Sequence, residues 1–199
     1  MEEALNFCVE HDLRSYISWG RFYRGLALFR RMGQRDGLDL MRSGIAGTDK
    51  INPRILQTAR FGHFAEALAS AGELKEALEV LSGALRTAGE SGERLCEAEL
   101  NRLRGELLLR SGEIEESENE FRRAVEIAQA QKARSWELRA ATSLARLYAD
   151  RGRHSDALGV LVPVHSWFAE DVDTADLRAA RTLLETLGQD AEISIHLVR

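Results

Sequence analysis

The sequence predicts an all-α protein, an α-solenoid of helical hairpins that repeat every 40 residues, and three observations predict it. The composition is helical: of 199 residues, 44% are hydrophobic and 30% charged, with two prolines and 7% aromatics. The abundant Ala, Leu, Glu and Arg lose little side-chain freedom on a helical backbone. Four segments fall in register without a gap: "RGLALFRRMGQRDGLDLM" from Arg24, "FAEALASAGELKEALEVL" from Phe64, "RGELLLRSGEIEESENEF" from Arg104 and "LARLYADRGRHSDALGVL" from Leu144. Within each, apolar residues at spacings of three, four and seven flank a glycine-containing break, which gives two helices with one apolar face each.

The repeat alternates small and large residues. Small ones recur at Gly25, Ala65, Gly105 and Ala145, and again at Gly37, Ala77, Ser117 and Ala157. Large ones follow at Leu28, Leu68, Leu108 and Tyr148, then at Met41, Leu81, Phe121 and Leu161. A last set, Gly44, Ala84, Ala124 and Val164, is small in three cases of four. Antiparallel helices approach most closely where side chains are absent or one carbon long, and larger residues then fill the flanking grooves. Gly72, Gly112 and Gly152, with Gly33 one residue late, suit left-handed caps that end the first helix of each pair.

Taken in order, Met1 and Ala4 fall in phase with Met41 and Gly44, so residues 1–12 are expected to be the end of a second helix without its partner. The chain then reads as a piece of a longer array or as a short gene product with an open upstream edge. Repeats are expected at about 18–51, 58–91, 98–131 and 138–171, joined by "AGTDKINP", "AGESGE" and "QKARS". Asn52 is placed as an N-cap and Pro53 at the first helical position, where a missing N–H costs nothing. Pro163 falls inside the last second helix and should kink it or shift its start. "DTAD" at 173–176 begins a capping helix over 173–188, which covers the last apolar face of a single solenoid spanning 1–188. The tail, 189–199, is expected to fray or to pair weakly as a strand.

Several function classes are disfavoured. Cys8 and Cys96 are far apart with no CxxC neighbour, which suits two reduced thiols in a cytoplasmic protein. No apolar run is long enough for a bilayer, the start "MEEALNFCVEHD" is acidic, and a membrane or secretory role is not expected. A net charge of −5 with interspersed Arg and Glu argues against direct nucleic-acid binding. The five histidines are scattered, so neither a metal nor a cofactor is expected. "RHSDA" at 153–157 sets His, Ser and Asp side by side, where they cannot converge as a triad. "EIEESENE" reads as a solvated helix N-terminus, where the dipole favours acidic side chains. The chain is expected not to be an enzyme.

A small residue followed at plus three by Leu or Tyr, a glycine at plus seven, Ala at plus twelve and a large apolar residue at plus sixteen resembles the tetratricopeptide repeat (TPR). The resemblance covers residues 18–171. It departs from the family pattern in a 40-residue period where 34 is usual, in Ser117 and Val164, and in lacking an early Trp and a terminal Pro. It implies that first helices line a concave, partner-binding groove. Carried over residue by residue, the groove comprises Trp19, Phe22, Leu26, Phe29 and Arg30, then Glu66, then Arg102, Glu106 and Arg110, then Arg139, Thr142 and Arg146. It would be aromatic at one end and Arg-rich at the other, suited to an extended or helical peptide with acidic groups. The alternative for Trp19 and Phe22 is that they pack beneath an upstream repeat.

"CEAELNRLRGELLLRSG", "SWELRAATSLARLYADRGR" and "WFAEDVDTADLRAARTLL" also resemble the C-terminal repeat region of bacterial adenylate cyclase or transcriptional-regulator proteins that carry an ATPase domain. That resemblance, over much of 60–188, implies a regulatory protein- or peptide-binding or scaffold module of a signal-transduction protein. A self-associating assembly module, a homo-oligomer joined through an open solenoid end, and a small-molecule sensor are the alternatives.

Overall fold

A computed structural model describes residues 2–33, 35–48, 57–168 and 173–197. The described residues are helical and contain no strand. The chain groups into two compact units, residues 1–96 and 97–199. The first holds α1 (Glu2–Glu10), α2 (Arg14–Met32), α3 (Arg35–Thr48), α4 (Gln57–Ser70) and α5 (Leu74–Ser91). The second holds α6 (Glu97–Arg110), α7 (Ile114–Ala130), α8 (Arg134–Asp150), α9 (His154–His165) and α10 (Ala175–Leu197).

Four hairpins, α2/α3, α4/α5, α6/α7 and α8/α9, carry the expected alternation. All three sets that begin at Gly25, Gly37 and Gly44 and the set Met41, Leu81, Phe121 and Leu161 are buried. Leu68 and Tyr148 are buried too, while Leu28 and Leu108 are half-buried. The helices meet where side chains vanish. A Cβ on Gly25 would stand 2.5 Å from the Gly37 carbonyl oxygen, and one on Gly105 would stand 2.6 Å from the Phe121 ring. In the second unit Phe121, Leu138, Leu144, Tyr148, Leu161, Val164, Leu177 and Leu187 form one apolar core.

The turns between paired helices are made by glycine in the left-handed region, with φ of 89° at Gly72, 85° at Gly112 and 71° at Gly152. The residue after each donates its N–H back to Leu68, Leu108 or Tyr148, at 2.9, 2.9 and 2.8 Å. Orphan carbonyls at the helix end are thereby satisfied, and the chain is reversed. A second set of left-handed turns, which the sequence reading did not single out, joins successive hairpins in phase: Asp12 (φ 50°), Gly92 (φ 75°) and Lys132 (φ 54°). Two of these three are not glycine, so residue type gave little signal. Leu13 N–H bonds to Cys8 O at 2.8 Å, as Ala133 N–H does to Ala128 O at 2.9 Å. The end of α1 therefore has the geometry of the end of α7.

Two expectations are corrected. Pro163 does not shift the start of α9, since His154 is in phase with Ile114 and Leu74; the helix instead stops at His165 after 12 residues, against 17 in α7 and 18 in α5. The terminal helix does not end near 188 and the tail forms no strand among the described residues: α10 runs 23 residues, to Leu197. No proline or glycine interrupts 189–197, and the backbone continues in the helix already nucleated. Thr174 Oγ1 caps its start by accepting the Leu177 N–H at 3.2 Å. Asn52 and Pro53 lie outside the described residues. Among the described residues no helix is long and apolar enough to cross a membrane.

Candidate partner-binding cleft

In the second unit, spacings of three and four place Glu99, Arg102 and Glu106 along one side of α6. The same spacing places Arg139, Thr142, Ser143 and Arg146 along α8. With Asp176 and Ala179 of α10, six of these seven, Arg102, Glu106, Arg139, Thr142, Ser143 and Arg146, line a cleft of about 130 Å³. Five sequence-predicted site residues are thus brought together.

Their charges are mostly balanced within the fold. Arg102 holds Glu99 through two hydrogen bonds of 2.9 Å and Glu106 through one of 3.2 Å. Ser143 Oγ donates to the same Glu106 oxygen at 2.7 Å. Arg139 reaches Glu99 at 2.9 Å and Asp176 at 3.8 Å, and its guanidinium lies 5.4 Å from the centre of the Trp136 ring. Thr142 donates its hydroxyl proton to the Leu138 carbonyl at 2.7 Å. Arg146 is exposed and has no ion-pair partner among the described residues. The cleft therefore pairs a pre-organised polar floor with one exposed cation at its rim. Arg102 and Glu99 are 11% exposed in their side chains and belong to the floor; this end is less basic than its arginine count suggests.

The remaining predicted residues lie elsewhere. Arg110 is exposed in the last turn of α6, outside the cleft. The aromatic end is corrected: Phe22 is fully buried and Leu26 nearly so, because Gly44 brings α3 against the Phe22 backbone. Neither presents a surface to a partner. Trp19 is half-buried, with the Arg60 guanidinium 5.3 Å from its ring centre. Phe29 is half-buried against Gly37. Arg30 and Glu66 remain on the surface 3.8 Å apart, with His63 Nδ1 3.3 Å from Glu66. Sequence reasoning missed Glu99, Ser143, Asp176 and Ala179. Glu99 was detectable as the i−3 partner of Arg102, whereas Asp176 was read only as part of a helix start.

A second polar cluster corrects the reading of "EIEESENE". Glu115 and Glu116 are exposed, but Glu118 and Glu120 pack inward. Glu118 accepts hydrogen bonds from Arg122 at 2.8 Å, Tyr148 Oη at 3.0 Å and Arg153 at 3.1 Å. Burial pushes its carboxyl up, and the bonds from Arg122, Tyr148 and Arg153 together outweigh it and hold it below the usual range. Burial raises the Tyr148 phenol, reinforced by Glu118, and the Arg153 guanidinium lies 4.0 Å from its ring centre. Burial likewise raises Glu120, with Arg104 at 3.0 Å opposing it. This cluster ties α7 to α8 and α9. Beside it is a wider depression of about 540 Å³ lined by Glu113, Glu115, Glu116, Glu118, Arg151 and Arg153. It is the larger of the two; Arg153 is tied to Glu118 and Asp156, and Arg151 is exposed. Among the described residues no group of three or more His, Cys, Asp or Glu is placed to hold a metal.

No protein-family model matches the chain, and no curated protein sequence matches it. Solved structures do. BtubC (BKLC) from P. vanneervenii superposes with a TM-score of 0.79 at 18% identity, covering 96% of this chain and 80% of that one. The nearly identical TPR-like repeats of a Podosopora anserina kinesin light chain give 0.69 at 18% identity, with 92% of each chain covered. At that identity the likeness concerns the fold: the chain is an all-α protein of TPR-like helical hairpins.

Proposed function

We propose that the chain is a non-catalytic protein- or peptide-binding module and that its second unit grips an acidic side chain or terminal carboxylate of the partner in the α6/α8/α10 cleft. The observation that carries this reading is Arg146, an exposed arginine without an ion-pair partner beside a floor whose donors and acceptors are already fixed. A rigid polar surface loses little side-chain entropy on binding, and a guanidinium takes a carboxylate through two parallel hydrogen bonds. The TPR-like fold supports an interaction or scaffold role. The resemblance of 60–188 to the repeat region of bacterial cyclase and ATPase-type regulators supports a place in cytoplasmic signal transduction. There, a bound partner would shift a coupled domain's equilibrium by differential affinity for its two states.

An array of random dodecapeptides probed with the purified chain tests the reading. Bound sequences should be enriched in Asp and Glu, and Arg146→Glu should abolish that enrichment while leaving the helical spectrum unchanged. Enrichment that survives the charge reversal, or none in the unmodified chain, would overturn it.

A further inference from the structure

First helices carry a row of residues that faces the hairpin before them. In α10 the row is Asp176, Ala180, Leu183 and Leu187; Ala180 and Leu187 are fully buried and Leu183 partly so, in the core that α10 shares with α8 and α9. In α8, 40 residues earlier, it is Trp136, Ala140, Ser143 and Leu147, of which the last three are buried. In α4 the row includes Arg60 and Ala67, both buried where α4 meets α2 and α3. In α2 the row reads Tyr16, Gly20, Tyr23 and Ala27, and it is open: Tyr16 is 63% exposed, Tyr23 37%, and Ala27 is exposed. Beside it, α1 exposes Phe7 and Val9, each at 56%. Exposed Tyr16 and Tyr23, seven residues apart on one side of α2, mark a contact surface.

The opposite side of α10 carries the matching half. Ala179, Thr182, Thr186 and Gln189 form an exposed row at spacings of three, four and three. It lies 40 residues after Arg139, Thr142, Arg146 and Ala149, the side of α8 on which α10 places Asp176 and Ala179. Ala179, Thr182 and Thr186 are small and uncharged, so the bulky Tyr16 and Tyr23 can seat against them, as large residues seat against small ones within each hairpin. Charge at this contact is mixed: every charged residue of α1 is acidic, and α10 exposes Arg181 and Glu185 at the phases of Ala141 and Ala145, which are buried in the core of the second unit.

We propose that the open α2 row of one chain docks on the exposed α10 row of a second copy, head to tail, with α1 in the second-helix position beside that α10. The contact joins two different faces, so it propagates into a series or a ring rather than closing as a symmetric dimer. Of the docking row only Ala179 also lines the cleft, and the contact does not use Arg146.

Sedimentation velocity of the full chain over a concentration series tests it. The unmodified chain should form species larger than a dimer as concentration rises. Tyr16→Glu with Tyr23→Glu, and separately Thr182→Glu with Thr186→Glu, should each be monomeric, because each loses one of the two faces. An equimolar mixture of the two should form a 1:1 dimer and nothing larger, because one intact face of each kind remains. Should Tyr23→Glu disturb α2, Tyr16→Glu alone at the more exposed position carries the same test. A chain that stays monomeric throughout would overturn the proposal. Association that persists in the Thr182/Thr186 variant would show a symmetric contact and overturn it equally.

Discussion

Replacing Gly25 by alanine should destabilise the first unit, although the same replacement at Gly83 should stabilise it. Two terms compete. Alanine in a helix interior is favoured over glycine by about 1 kcal/mol. At Gly25, however, the new methyl would stand 2.5 Å from the Gly37 carbonyl oxygen and 2.9 Å from both Leu40 Cβ and Met41 Cγ. A carbon and a carbonyl oxygen rest at about 3.3 Å, so α2 and α3 must separate by about 0.8 Å at their tightest point. The obstructing atom is backbone, and Met41 beside it is fully buried, so no flexible side chain can yield. Overpacking of this kind costs about 1–3 kcal/mol, and at a backbone contact the upper part of that range applies, leaving a net loss of about 1–2 kcal/mol. Gly83, in α5 of the same unit, has only Arg86 Nη2 nearby, at 3.9 Å. Gly83→Ala should therefore gain about 1 kcal/mol. Urea denaturation followed by far-ultraviolet circular dichroism, with amide exchange in α2 and α3 as a local readout, measures both. If Gly25→Ala stabilises as much as Gly83→Ala, the close approach of the two helices is not what the glycine is for.

Ser117 occupies a position held by Ala or Gly in the other hairpins, is fully buried, and has an Oγ without a hydrogen-bond partner among the described residues. Ser117→Ala should raise the denaturation midpoint of the second unit by the equivalent of about 1 kcal/mol, and a lowered midpoint would mean the hydroxyl has a partner. Glu118 has a folded-state pKa below its unfolded value, so its stabilisation is present above the unfolded pKa and is lost as pH falls through the folded one. Glu76, held low mainly by its hydrogen bond to Arg42, does the same in the first unit. Melting temperature should fall as pH drops from about 6 to about 3, and Glu118→Gln should flatten that fall in the second unit. An unchanged pH profile in the variant would contradict the arrangement of the cluster.

The sequence by itself determined the repeat. Helix type, glycine turns and the buried small sets follow from local rules: residues spaced by three and four share a face, and only glycine reverses the chain cheaply at Gly72, Gly112 and Gly152. The resemblance to the tetratricopeptide repeat, carried over residue by residue, placed Arg102, Glu106, Arg139, Thr142 and Arg146 in one groove. Only the tertiary structure decided which of them are available. Whether Arg102 is free or locked depends on Glu99 and Ser143, and the latter lies on another helix. Phe22 and Leu26 look like anchors on a helical wheel, but the close approach that Gly44 permits buries Phe22 beneath α3. Periodicity assigns a residue to a face. It does not say what the face meets, because that depends on contacts between segments about 40 residues apart, where the size of a neighbour such as Gly44 or Ser143 sets the distance.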